Sequence, residues 1–176
     1  LSSKLFDKKE PELLTTSKWI DHTVEIKQEM DKKYMFMDPL VDALCQGIEL
    51  EENVMLYGRG GHNKSEGTLA ILKMLNQRNL ISDSIYVKSF GDGTTTEELF
   101  GGVQLDLYMK ESKIEYNVLN SFMNYEYVIF EEFYDAPSSV LLVLKDILTS
   151  GYFRNGDQMF KIKCKCIIAL TNRSKD

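Results

Sequence analysis

Residues Gly58-Arg59-Gly60-Gly61-His62-Asn63-Lys64-Ser65 follow a short apolar run at 53–57 and precede a helical pattern from 64 to about 76. A strand that feeds a glycine-rich turn opening into a helix converges backbone N–H groups on one point, with the positive end of the helix dipole behind them. That point suits a phosphate. Lys64 would reach the β- and γ-oxygens of a nucleoside triphosphate as a point charge, and the Ser65 hydroxyl would ligate Mg2+. The candidate nucleotide-binding set is therefore Gly58, Arg59, Gly60, Gly61, His62, Asn63, Lys64, Ser65 and Glu66.

A second signal stands at Glu131-Glu132, directly after the apolar run Tyr127-Val128-Ile129-Phe130. A carboxylate at the tip of such a strand can hold Mg2+ through water, the role expected of Glu131; the next, Glu132, can polarise an attacking water. The third is Asn172, after the last apolar run, 164–170. Taken singly, a glycine turn with a surface lysine, or two charges ending a core strand, needs no ligand to explain it. Together they lie at the carboxyl ends of strands, where parallel sheets bind ligands.

The elements that must position these groups alternate in type. Strands are expected at 53–57, 84–90, 127–131 and 164–171, with helices between them: an α/β fold with a central parallel sheet and helices on both faces. Residues 1–33 read as an N-terminal arm with one helix capped by Thr16 or Ser17 and carrying Trp19, Ile20, Val24 and Ile26. A second helix should start at Asp38-Pro39 with Asp38 as cap. Thr95 and Glu98 have capping-box spacing. Another helix is expected from Asp135-Ala136-Pro137 to Gly151, and Asn155-Gly156 is a type I′ hairpin signal.

Composition bounds the rest. At 176 residues the chain can bury its own core, and 43% apolar with 27% charged residues is ordinary for a globular protein. A net charge of −6 argues against a surface built to neutralise a nucleic-acid backbone, and no apolar run is long enough to span a membrane. Three cysteines, Cys45, Cys164 and Cys166, suit an intracellular, cytoplasm-like reducing compartment better than a disulfide framework. Cys164 and Cys166, expected on one side of the last strand, read as buried core thiols rather than zinc ligands.

The order of these motifs resembles that of AAA+ ATPases, and within them the MoxR, McrB and dynein-related branch with an insert in the second helix; the resemblance covers residues 34–173. Residues 54–65 resemble the Walker A strand and loop of a P-loop NTPase, 127–132 the Walker B strand, and 167–172 the sensor-1 strand. Residues 94–102 resemble the segment leading into the insert, which would be 103–118, and 151–161 the hairpin before sensor 1. The resemblance implies a nucleotide-binding core over 34–176 that uses ATP and Mg2+, with Lys64, Glu132 and Asn172 catalytic and Ser65 and Glu131 at the metal. It also implies a ring, hexameric in the family, that moves its inserts against a macromolecular partner.

Two residues depart from the pattern: Asn63 stands for Gly, and Glu131 for Asp. Asn tolerates left-handed backbone angles, so the turn can survive, but a side chain there hinders close approach to phosphate and lowers the expected affinity and activity. The sequence is read as ending before the family's arginine finger and helical lid, and Arg173, beside sensor 1, is given no role. The departures keep open a nucleotide-binding scaffold that scarcely hydrolyses ATP. A nucleic-acid translocase or helicase subunit is a further alternative, unsupported by charge. Met35, Phe36 and Met37 are candidates to pad an adenine or a subunit contact.

Overall fold

A computed structural model describes residues 16–60, 63–104, 108–110, 112, 115–155 and 158–173, with the side chains of 16, 17 and 155 left aside. In chain order the elements are α1 (Thr16–Asp31), α2 (Asp38–Glu49), β1 (Val54–Tyr57), α3 (Lys64–Gln77), β2 (Ile85–Ser89), α4 (Thr96–Phe100), β3 (Gly102–Val103), β4 (Tyr116–Asn117), β5 (Tyr127–Glu131), α5 (Ser138–Ser150), β6 (Tyr152–Asn155), β7 (Gln158–Lys161) and β8 (Cys166–Thr171). Short 3-10 turns occupy Phe122–Asn124 and Phe133–Asp135.

The main sheet is four-stranded and parallel, in the order β1-β8-β5-β2, so the first strand lies beside the last. The central strands β5 and β8 are apolar up to their last residues, Glu131 and Thr171, and buried almost throughout, as strands covered on both faces must be. Their side chains alternate between two cores. Tyr127, Ile129, Cys166, Ile168 and Leu170 join α1, α2 and α3; Val128, Phe130 and Ile167 join Leu99, Phe100, Phe122 and the α5 residues Val140, Leu144 and Ile147. The result is three layers, helices on both faces of one sheet, the architecture of a P-loop NTPase core.

Several helix ends differ from expectation. α1 buries Trp19, Ile26 and Met30, leaving Ile20 and Val24 exposed, because only one stripe of the helix faces α2 and α3. Its stripe belongs to the same core as α2 and α3. In α2, Met37 occupies the cap position and Asp38 the first turn, where its charge still meets the helix dipole. Asp135 ends a 3-10 turn instead of starting α5, which opens at Ser138 after Pro137. Cys164 precedes β8, and only Cys166 is a strand residue. Thr95 Oγ1 accepts from Glu98 N as the capping box requires, and the Glu98 carboxylate, hydrogen-bonded to the Thr95 backbone, also pairs with Lys88 at 2.8 Å.

α5 stops where expected, at Gly151 with φ 74°, and its N–H closes on Ile147 O. The antiparallel pair β6–β7 is the hairpin expected at 151–161, although Gly156 and Asp157 lie outside the described residues. The expected insert opens and closes as the two-stranded pair β3–β4, and 105–107, 111, 113 and 114 within it lie outside the described residues. Gly101, at φ 91°, starts it, and a Cβ there would meet Asn117 O at 2.1 Å.

Candidate functional site

Because β1, β5 and β8 are parallel, their carboxyl ends lie together. Tyr57 is in register with Thr171, and Gly58 N donates to Thr171 O at 3.3 Å, so the glycine turn leaves the sheet beside the exit of β8. Asn63 then takes left-handed angles, φ 49° and ψ 28°, and its carbonyl accepts from Gly67 N at 2.8 Å to begin α3. The position that glycine fills in the usual motif is thus left-handed here and occupied by a residue type that tolerates it.

Lys64 folds back over the turn. Its ammonium donates to Gly58 O at 2.6 Å, to Arg59 O at 3.0 Å and to Asn172 Oδ1 at 2.6 Å. The Asn172 amide nitrogen donates in turn to Glu132 Oε1 at 2.7 Å. Lysine, asparagine and glutamate, from three segments far apart in sequence, form one chain of hydrogen bonds across the ends of β8 and β5. Glu132 also has left-handed backbone angles, φ 49° and ψ 46°, and starts the turn Phe133–Asp135.

A cavity of about 290 Å³ opens here, lined by Gly60, Asn63, Lys64, Ser65, Glu66, Glu131, Glu132, Leu170, Thr171 and Asn172. All the residues singled out for phosphate, metal and water therefore border one space or, for Gly58 and Arg59, hold the lysine that faces it; Gly61 and His62 lie outside the described residues. A second cavity, about 520 Å³, shares Asn63 and Lys64 with it and runs between the 33–37 segment, Leu40, Leu56 and Tyr57. A cavity of about 600 Å³ lies elsewhere, between α4, β3, α5 and β6. The convergent polar groups, not the volume, mark the site.

Two contacts here had no signal in the sequence. Tyr34 OH donates to Glu66 Oε1 at 2.7 Å, tying the segment before α2 to the first turn of α3; that bond holds the phenol above its usual range. Arg173 meets Asp135 at 2.8 Å. A tyrosine ahead of a helix and an aspartate after a strand are too common to single out.

A polyanion with magnesium fits these donors. The lysine ammonium is spent on carbonyl oxygens that a phosphate can replace, and α3 points its N-terminus into the cavity. No cluster of three His, Cys, Asp or Glu side chains able to hold a metal exists among the described residues. One hydroxyl and one carboxylate, completed by phosphate and water, are what magnesium takes in such sites.

The chain is similar to several known proteins. Residues 21–176 match the family model described as the MoxR domain of MoxR–vWA–β-propeller ternary systems. Two uncharacterised proteins of Methanocaldococcus jannaschii are similar: MJ0079, 23% identical over 154 residues (87% of this chain, 39% of that protein), and MJ0812, 22% over 148 residues (84% and 38%). A crystal structure from Cytophaga hutchinsonii, provisionally assigned as an ATPase, superposes with a TM-score of 0.63 at 15% identity, covering 91% of this chain and 46% of that one. The chain spans less than half the length of each of these relatives.

Proposed function

Because the chain belongs to the MoxR family of AAA+ ATPases, we propose that it binds ATP–Mg2+ in the cavity at the sheet edge and hydrolyses it to drive movement of a macromolecular partner. The observation that carries this reading is the chain Lys64–Asn172–Glu132, at 2.6 and 2.7 Å, beside the glycine turn. Lys64 exchanges its carbonyl partners for the β- and γ-phosphates. Ser65 and Glu131 hold magnesium, which when bound neutralises charge on those oxygens. Glu132 takes a proton from water as the water oxygen bonds to the γ-phosphorus; the bond to the bridging oxygen breaks, and ADP leaves with that electron pair. Asn172 orients the water. The apolar cavity by Met35, Phe36 and Met37 accepts the adenine.

The working form in this reading is a ring, hexameric by family resemblance, whose neighbouring subunit lends the arginine that speeds phosphoryl transfer. The family's description supplies the partner classes: a von Willebrand A component and a β-propeller component. No described helix is long and apolar enough to cross a membrane.

The test is phosphate release and ATP binding by the full-length protein. Glu132→Gln should keep ATP binding and lower kcat by roughly two orders of magnitude, whereas Lys64→Ala should lose binding itself. Wild-type turnover no higher than that of Glu132→Gln would replace hydrolysis with a nucleotide-responsive scaffold, the outcome that Asn63 and Glu131 favour. Salt-sensitive stimulation by DNA or RNA would point to a translocase.

A further inference from the structure

Arg173 leaves β8 directly after Asn172, its N–H donating to the buried Thr171 Oγ1 at 3.2 Å. Its guanidinium approaches Asp135 Oδ1 to 2.8 Å. The two groups lack hydrogen-bond alignment, since that oxygen has no hydrogen-bond partner, so the contact is an ion pair rather than a directed bond. Asp135 closes the turn that Glu132 opens: its N–H donates to Glu132 O at 2.8 Å. The other side of this turn is seated by Phe133 against Phe90 and Phe130, with ring centroids 6.0 and 6.5 Å apart.

Two consecutive residues of β8's exit therefore grip the two ends of one turn. Asn172 holds the Glu132 carboxylate, and Arg173 holds the aspartate that closes the backbone on which that carboxylate rides. The grip matters because Glu132 is left-handed, a conformation that a β-carbon disfavours and that persists only where the surroundings over-determine it. We propose that Arg173 is a positioning residue for Glu132, acting through Asp135. This rests on the reading of Glu132 as the group that activates water. Arg173 does not touch phosphate in this role; its charge is directed at Asp135.

The experiment is steady-state phosphate release and ATP binding by the full-length protein carrying Arg173→Ala, Asp135→Asn, both together, or Arg173→Lys. Removing either charge should lower kcat roughly tenfold, because a small misplacement of the reacting group is costly, while KM and ATP affinity stay within about twofold. The double variant should be no slower than either single one, since both break the same contact. Arg173→Lys should recover most of the rate, because an ion pair without directed bonds needs charge rather than the guanidinium fork. Unchanged kcat in Arg173→Ala overturns the proposal, as does a loss of ATP affinity, which would put Arg173 on the nucleotide. Effects that multiply in the double variant overturn it too. If the wild type releases no more phosphate than Glu132→Gln, the hydrolase reading falls and takes this inference with it. A wild type that hydrolyses beside an equally fast Arg173→Ala fells the inference alone.

Discussion

The edge that carries the candidate site and the far face of the sheet are built on opposite plans. At the edge, half-buried and exposed polar side chains meet across short loops, and each is placed by the end of a parallel strand. On the far face, aromatic rings do the placing. Phe130, next to Glu131, stacks edge-on against Phe122 at 5.3 Å; Phe122 meets Phe100 at 5.8 Å, Phe100 meets Phe153 at 5.3 Å, and Phe153 meets Phe160 at 6.2 Å. That run of rings reaches from the carboxylate strand to the β6–β7 hairpin. Between that hairpin and the insert, Tyr116 N donates to Gln158 Oε1 at 3.1 Å. Chemistry is thus held by backbone direction and stability by apolar area, so the same size of mutation should act on different observables in the two regions.

Phe100→Ala should break that division most severely. The ring is buried against two others, and its removal should cost about 3–5 kcal/mol of folding stability by chemical denaturation. Lys64→Ala, at the edge, should shift stability by no more than about 1 kcal/mol while abolishing the rise in Tm on adding ATP–Mg2+. Equal losses of stability in the two variants would contradict the contrast.

Alkali should attack the core before the edge. Burial pushes the Cys164 and Cys166 thiols, and the Tyr127 phenol, up to about 12. These folded-state values lie above the unfolded ones, so the unfolded chain loses protons first. The stability they contribute is complete below the unfolded thiol pKa of about 8.5 and is lost as pH rises toward 12. Denaturation midpoints at several pH values should fall across that window, and the thiols should resist alkylation at pH 8 until the protein unfolds.

Smaller effects sharpen the comparison. Asn63→Gly should tighten ATP binding severalfold by removing a side chain from the phosphate approach, and change stability by less than about 1 kcal/mol, because glycine accepts the same left-handed angles. Titration calorimetry would read it. Gln158→Ala should cost about 0.5–1.5 kcal/mol or less, seen as faster amide exchange at Tyr116, with ATP affinity untouched.

Much of this protein was legible along the chain. The apolar runs read at 127–130 and 164–170 gave the buried central strands, the second starting two residues later than read, and the order of strand, glycine turn and Lys64-Ser65 gave the helix that starts at Lys64. Local chemistry suffices there: a fully apolar run has to be covered on both faces, and Thr95, Asn63 and Gly151 carry their backbone preferences with them. Tertiary structure decided what depends on distance in space. It chose which stripe of α1 is buried, added Lys88 as a partner of the capping Glu98, ended the Glu132 turn at Asp135, and brought Tyr34 to Glu66 and Arg173 to Asp135. The reason is that a side chain's own type and neighbours set its conformational preferences. Its partner, by contrast, is whatever group the sheet order β1-β8-β5-β2 carries within a few ångströms.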